Sequence, residues 1–238
     1  MHRFEFFPGC VPPGILFDGQ LDDACIVATV GPRGEVDLRK GIGAEFAFIA
    51  LVAYFEGFCK NHAASILNIC PHLVRSLADH QRDIKLSPVD ILDHAHNLPI
   101  HFGCLIVERI DFGTAKAING FYRDLLGISP LSKQEAKRFH AILEDRHLIV
   151  HHGNILTPAY ATERFIRREV GRSQCFVDSL DVKPADVQEA VQFLRKLSRK
   201  IRTASRQALE TYIKKNNICL AKPNSAALPL LDDTLPDN

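Results

Sequence analysis

The sequence has no tryptophan and a single methionine, and it lacks the patterns that mark several well-defined classes of protein. Its seven cysteines are an odd number, and no two of them have the C-x-x-C spacing of zinc ribbons. This argues against a disulfide framework and favours reduced thiols in a cytoplasmic protein. The opening segment, MHRFEFFPGC, also lacks the basic stretch and apolar core of a signal peptide.

Long hydrophobic segments are missing as well. The longest apolar run, residues 46–55, has ten residues between Glu45 and Glu56. A helix that crosses a bilayer needs about twice that length. The sequence therefore predicts a soluble protein with no membrane partner.

A strong net charge is also absent, since the formal value is +1. The charge is unevenly distributed, however, because residues 164–215 hold thirteen Lys or Arg against six Asp or Glu. An uneven distribution of this kind is a weak indication of an anionic partner.

Hydrophobic residues make up 46% of the chain, which is enough for a sizeable core. From residue 44 onward they recur with the period of a helix, and cap signals mark the ends of several segments. Ser87-Pro88 and the capping box from Ser132 to Glu135 predict helix starts, and Gly153 predicts a helix end. The helices expected in this way cover residues 44–69, 105–126, 133–152 and 184–215. The predicted fold class is therefore all-α, a helical bundle.

The N-terminal 40 residues are rich in glycine and proline. Residues 25–30 (CIVATV) and 35–40 (EVDLRK) flank GPRG, and this arrangement predicts a short β-hairpin. The expected organisation is an N-terminal extension at 1–40, a helical domain at 41–215 and a C-terminal tail at 216–238 with little structure of its own.

One stretch, EDRHLIVHHGN at residues 144–154, carries most of the functional information. On a helical wheel at about 100° per residue, Arg146 falls in the middle of the apolar stripe, and His147 and His151 lie at its edge. An arginine there is costly unless it pairs with a carboxylate or meets an anion. One interpretation is an internal bridge, to Glu56 or Asp145, beside edge histidines.

A metal site is a second interpretation, since His147 and His151 have i, i+4 spacing. The metalloprotease motif places a glutamate directly after the first histidine, and here Leu148 stands in that position. The sequence offers no obvious third ligand. No metal and no other cofactor is therefore predicted.

The string RHLIVHHGNIL resembles the R-x(4–6)-H signature of HEPN domains. Arginine, a polar residue, an apolar pair leading to histidine, and a following glycine all match, at Arg146, His147, Ile149, Val150, His151 and Gly153. The resemblance extends over roughly residues 42–212. It implies an α-helical bundle with a long first helix, the motif on a later helix, and a groove where two subunits meet. The N-terminal hairpin departs from a minimal domain of this family.

Many HEPN proteins are metal-independent endoribonucleases, often the toxin of a toxin–antitoxin or phage-defence pair. The resemblance implies that Arg146 and His151 are catalytic and that His147 has a supporting role. Glu56, which follows the apolar run of the first long helix, is a further supporting candidate. The partners implied are RNA, a second copy of the chain and an antitoxin protein. Histidine suits proton transfer near neutral pH, and arginine holds phosphate oxygens without losing its charge.

Arg146 and His151 are five residues apart, which places them about 140° apart on a regular helix. Both can face one phosphate only if the last turn is distorted or if a two-fold dimer supplies the partner's copies. Two alternatives to a nuclease remain open. One is a non-catalytic HEPN module that binds RNA, nucleotide or a partner protein, and the other is a helical scaffold with a structural salt bridge.

The last long helix adds a separate candidate. Four arginines follow its apolar face at i, i+4, i+7 and i+11, and they are Arg195, Arg199, Arg202 and Arg206. A basic stripe of this kind can follow a phosphate backbone, so these residues are predicted to bind RNA. A solvated charged face is the alternative.

Overall fold

The computed structural model describes residues 2–31, 43–80, 84, 86–164 and 175–233, and this part of the chain is mostly helical. The α-helices, in chain order, are α1 (Pro13–Ala28), α2 (Gly43–Ile69), α3 (Val74–Asp79), α4 (Pro88–Asp93), α5 (Leu98–Val107), α6 (Ala115–Leu126), α7 (Lys133–His152), α8 (Pro158–Arg164), α9 (Pro184–Lys215) and α10 (Lys222–Ala227). Short 3-10 turns lie at Arg3–Phe6, Pro8–Cys10, Pro71–Leu73, Ala95–Asn97 and Leu228–Asp232. Extended pairing within the described residues is limited to isolated bridges such as that between Ile155 and Ser179. The all-α class is therefore confirmed.

Local sequence signals account for most of the helix ends. Helix α2 ends before Pro71, which lacks the backbone N–H that a continuing helix needs. Helix α4 begins as predicted, because the Ser87 side chain accepts a hydrogen bond from the backbone N–H of Val89 at 3.2 Å. Helices α7 and α9 cover the predicted residues.

The sequence predicted one continuous helix over residues 105–126, and this is wrong. The chain forms two helices there, α5 and α6, with a break between them. Within the break, Asp111 accepts a hydrogen bond from the backbone N–H of Gly113 at 2.7 Å. A local side-chain bond of this kind stabilises a turn in place of a helix. Thr114 then caps α6, accepting a hydrogen bond from the backbone N–H of Ala117 at 3.1 Å.

The predicted N-terminal β-hairpin is not supported. Its first strand, residues 25–30, is wrong, because Cys25 to Ala28 form the last turn of α1. Leu21, Ala24 and Ala28 are buried, at the i, i+3, i+7 spacing of a helix face. The apolar run thus belongs to a helix whose start lies upstream, at Pro13. The second predicted strand, residues 35–40, lies outside the described residues.

The chain divides into two compact units. The first unit comprises Met1–Gly19, Phe55–Ser132 and Arg195–Asn238, and the second comprises Gln20–Tyr54 and Lys133–Leu194. Both are discontinuous in sequence, whereas the sequence analysis expected a helical domain between two terminal extensions. The difference arises because α1, α2 and α9 each contribute residues to both units.

The first unit has a core of aromatic side chains. Phe17 contacts Phe58 at a ring-centroid distance of 5.0 Å, and Phe55 stacks on Phe58 at 6.0 Å. His62 continues this row, with its ring stacked on Phe58 at 5.6 Å. Contacts between rings at these distances contribute about 0.5–1.5 kcal/mol each beyond the area that they bury.

The residues predicted as a C-terminal tail are built into the first unit. Ala227 and Leu231 are fully buried, and Asn224 donates a hydrogen bond to the backbone carbonyl of Ile69 at 2.9 Å. Thr203 of α9 donates to the carboxylate of Asp232 at 3.0 Å. Residues 222–233 are therefore part of the fold, which the polar and proline-rich sequence of this segment did not indicate.

The second unit carries α7. Its apolar face includes the buried side chains of Phe139, Leu148 and Ile149. At its N-terminal half, Arg138 lies over the ring of Phe193 at 4.7 Å and donates a hydrogen bond to Glu189 at 2.8 Å. These contacts hold α7 against the first turns of α9. Among the described helices, none is both long and apolar enough to cross a membrane.

Candidate functional site

The candidate site lies at the C-terminal end of α7, where the chain changes direction. Helix α7 continues to His152, and the next two residues, Gly153 and Asn154, have φ angles of 56° and 69°. A glycine adopts this left-handed conformation without cost, which is why the sequence predicted the helix end there. Because α7 is helical through His152, Arg146 and His151 lie on different faces of the helix.

Backbone hydrogen bonds fix the segment that follows. The N–H of Leu156 donates to Asp178 at 3.0 Å, and the N–H of Phe176 donates to Leu156 at 2.9 Å. The Leu180 N–H donates to the carbonyl of Asn154 at 2.8 Å. The turn after α7 is thus held by a second stretch of chain.

Asn154 connects this turn to the first turn of α2. Its side-chain amide donates a hydrogen bond to the Glu45 carboxylate at 2.7 Å, while its Oδ1 is buried and has no hydrogen-bond partner. Neither residue was predicted from the sequence. An asparagine directly after a helix-ending glycine is a recognisable signal, because asparagine tolerates the left-handed conformation better than most residues do.

Three histidines cluster on the exposed surface of the last turns of α7. The ring of His147 lies 4.6 Å from that of His151 and 5.6 Å from that of His152, centroid to centroid. All three side chains are exposed, and none forms a hydrogen bond or ion pair with a described residue. The ring contact places His147 directly against His151.

Arg146 is half-buried, and its Nε atom is buried without a hydrogen-bond partner. It forms no ion pair with any described residue. Neighbouring Asp145 accepts a hydrogen bond from the hydroxyl of Tyr160 at 2.6 Å. The internal bridge considered in the sequence analysis is therefore not observed. A half-buried guanidinium that no described residue pairs with is costly, and an anion would offset that cost.

Val150 lies one turn after Arg146 on the same side of α7. Although Val150 is apolar, 42% of its surface is exposed. Ile155, just beyond the turn, is 47% exposed. The face that carries Arg146 is therefore partly open and partly apolar.

Glu56 lies in the first unit, within α2. Its carboxylate is directed at the turn between α5 and α6, where a Cβ placed on Gly113 would lie 3.2 Å from Oε1 and 3.0 Å from Asp111 Oδ1. Glu56 also contributes to raising the pKa of the buried thiol of Cys59, after the larger effect of burial. The Glu56 carboxylate therefore lies near the Asp111–Gly113 turn and near Cys59 of its own helix.

The four arginines of α9 do not form an exposed stripe. Arg202 is fully buried, so the idea that it contacts RNA is wrong for the folded chain. Its Nη1 donates a hydrogen bond to the backbone carbonyl of Asp233 at 2.6 Å, and Nη2 lies 3.8 Å from the Asp18 carboxylate. Gly14 is needed beside it, because a Cβ there would lie 1.8 Å from Nη1.

The other three arginines are partly buried. Arg195 lies 3.8 Å from Asp18, and Arg206 pairs with Glu210 at 3.1 Å and with Asp232 at 3.9 Å. Arg199 is half-buried. Helical periodicity correctly put the arginines beside one another, but it could not identify Asp18 and Asp232 as their partners.

A buried histidine, His62, was also missed. Its Nδ1 shares a hydrogen bond with the hydroxyl of Tyr122 at 2.8 Å, and its Nε2 is buried without a partner. Burial lowers the pKa of His62 to about 3, and the positive charge of Arg202 adds to the effect. His62 therefore stays neutral at physiological pH.

No group of three or more histidine, cysteine, aspartate or glutamate side chains is placed to hold a metal ion in the part of the chain that the structure describes. The chain matches no protein-family model, no curated protein and no solved structure. The resemblance to HEPN domains therefore rests on the amino-acid sequence alone.

Proposed function

We propose that this protein is a metal-independent, HEPN-type endoribonuclease of the toxin class, whose groove forms around Arg146 and His151 between two copies of the chain. One observation carries this function. Arg146 is half-buried with its Nε unpartnered, one residue from a cluster of exposed histidines. RNA cleavage needs a cation that stabilises charge on the phosphate and side chains that transfer protons. Arginine and histidine are residue types suited to these two roles.

The reaction is attack by the 2′-hydroxyl of RNA on the adjacent phosphate. A base removes the hydroxyl proton, and an acid protonates the departing 5′ oxygen. His151, which is exposed, takes one of these roles, and a solvent water molecule takes the other. Arg146 stabilises the added negative charge on the phosphate oxygens. His147, in ring contact with His151, is a positioning residue.

A second copy solves the geometric problem. Since α7 is regular to His152, Arg146 and His151 of one chain leave the helix about 140° apart. A two-fold axis beside α7 would bring Arg146 of one copy to His151 of the other. The exposed apolar surface of Val150 on the same side as Arg146 favours such an interface. RNA and an antitoxin protein are the further partners of this function.

The test is cleavage of a single-stranded RNA by the purified full-length chain in the presence of EDTA. His151→Ala should lower the rate roughly 10²–10⁴-fold through lost proton transfer. Arg146→Ala should lower it roughly 10²–10³-fold through lost charge stabilisation. His152→Ala and Arg138→Ala are the matched controls from the same helix, and both should keep most of the activity.

The products should carry a 2′,3′-cyclic phosphate and a 5′-hydroxyl, and a deoxy sugar at the scissile position should prevent cleavage. Equal cleavage of the deoxy substrate, or loss of activity in EDTA, would contradict this mechanism. If the wild type cleaves nothing while it still binds RNA through Arg146, the non-catalytic binding module is the better description.

Mixing variants tests the shared groove. Arg146→Ala and His151→Ala are each inactive, but their mixed dimer retains one groove with both residues intact. Mixing should therefore restore roughly one quarter of the wild-type rate, since about half of the dimers are mixed. A monomer in sedimentation at micromolar concentration, or no recovery on mixing, would eliminate the shared groove.

A further inference from the structure

The exposed pair His147 and His151 has the geometry of a chelating site. The two residues are four apart on a regular helix, and their ring centroids are 4.6 Å apart. Neither ring forms a hydrogen bond or ion pair with a described residue, so their nitrogen lone pairs are available to a ligand. Both side chains are exposed and can rotate without disturbing the core.

The distances suit a transition-metal ion. A zinc–imidazole bond is about 2.0–2.1 Å, so two histidine nitrogens on one tetrahedral ion lie roughly 3.3 Å apart. Small rotations of the two side chains bring rings with the observed separation to that distance. Two histidines at i and i+4 on a helix are also the pair that holds zinc in the H-E-x-x-H motif. We propose that His147 and His151 bind one Zn²⁺ or Cu²⁺ ion and that this ion inhibits the site.

The site would bind a metal without using it for hydrolysis. Leu148 stands where the zinc hydrolases place their general base. No third side chain among the described residues completes the site, so water molecules would fill the other positions. A two-ligand site is of moderate affinity, and Cu²⁺ should bind more tightly than Zn²⁺ because imidazole sites follow that order.

Inhibition follows from the role of His151, and this part rests on the proposed function. A metal ion occupies the lone pair with which the imidazole would accept a proton. It also fixes the ring of His151, so that the ring can no longer turn toward the phosphate. Metal binding itself does not depend on whether the chain cleaves RNA.

The experiment is calorimetric titration of the untagged full-length chain with Cu²⁺ and with Zn²⁺. The chain has eleven histidines, so the result is the difference between matched variants. His147→Ala and His151→Ala should each weaken the tightest site by at least about tenfold, since loss of even an outer-shell partner costs 10–100-fold. His152→Ala, which removes an exposed histidine from the same turn, should bind like the wild type.

Cleavage assays supply the second readout. Saturating Zn²⁺ should stop the wild type and EDTA should restore it, whereas the activity that remains in His147→Ala should resist zinc. If His147→Ala and His151→Ala bind metal as well as the wild type does, the chelating site does not exist. If metal binds as expected but no RNA is cleaved, the proposed function fails and the metal site stands.

Discussion

Two arginines on apolar helix faces, one in each unit, have opposite surroundings. Arg202 in the first unit is fully buried, and the Asp233 carbonyl, the Ser198 carbonyl and the Asp18 carboxylate lie within 2.6, 3.4 and 3.8 Å of its guanidinium. Arg146 in the second unit is half-buried, and its Nε has no partner. In the sequence, Arg146 falls within the apolar stripe of its helix and Arg202 falls beside one.

The difference indicates which of the two arginines, Arg202 or Arg146, can bind a ligand. The positive charge of Arg202 is compensated inside the fold, and burial of the compensated group makes it a structural element. No described residue forms an ion pair with Arg146, so its charge is available to the phosphate of the proposed function. The buried His62 and the exposed His151 differ in the same way, because only the ring of His151 is accessible to solvent.

The largest effect is expected from Arg202→Met. It leaves the buried Asp18 carboxylate with one cation fewer and should lower the free energy of unfolding by about 3–5 kcal/mol. Urea unfolding followed by circular dichroism measures this. Arg206→Met, at a partly exposed ion pair, is the control and should cost less than about 1 kcal/mol. Equal effects of the two substitutions would show that Arg202 is not the structural residue described here.

The second prediction concerns pH and compares the buried histidine with the exposed ones. The pKa of His62 is lowered to about 3 in the fold, so the unfolded chain binds the additional proton first as the pH falls below about 6.5. The stability that depends on neutral His62 is complete above that pH and is lost as the pH falls toward 3. The slope should reach about 1.4 kcal/mol per pH unit.

Unfolding curves between about pH 7 and pH 4 measure this slope. His62→Gln should make it shallower, and His152→Ala should leave it unchanged. An unchanged slope in His62→Gln would mean that other groups cause the acid sensitivity.

A smaller effect is expected from Gly153→Ala, which tests the turn that ends α7. A left-handed φ of 56° should cost an alanine about 1–2 kcal/mol. Gly57→Ala, inside α2 with no atom near the added methyl group, is the control and should be neutral or stabilising. Thermal unfolding distinguishes the two, and a stabilising Gly153→Ala would rule out the left-handed turn.

The smallest effect on stability is expected from Arg146→Met. Because no described residue pairs with the Nε of Arg146, loss of the guanidinium should change the free energy of unfolding by no more than about 0.5 kcal/mol. The same substitution at Arg202 should cost several times as much, so the pair gives the most direct test of the comparison. Severe destabilisation by Arg146→Met would assign this arginine to the fold and remove the basis of the proposed site.

The sequence by itself determined the helical class and most of the helix ends. Ser87 and Gly153 act on the backbone within a few residues of themselves, so their effects can be predicted locally. The strand predicted at residues 25–30 was wrong because a local pattern was used where the structure is decided elsewhere. Residues 25–28 are helical because they continue a helix whose upstream residues Leu21 and Ala24 are buried. The arginine and histidines of α7 were also identified from a local pattern.

Only the tertiary structure decided which charges are compensated. Asp18, Arg202 and Asp233 lie far apart in the sequence, and no periodic pattern relates them. The C-terminal segment was predicted as a tail because its own residues cannot bury themselves, yet Leu231 is fully buried in the first unit. Periodicity predicts the direction in which a side chain leaves its helix. The free-energy cost of burying a charged side chain depends instead on the charged and hydrogen-bonding groups that other segments place beside it.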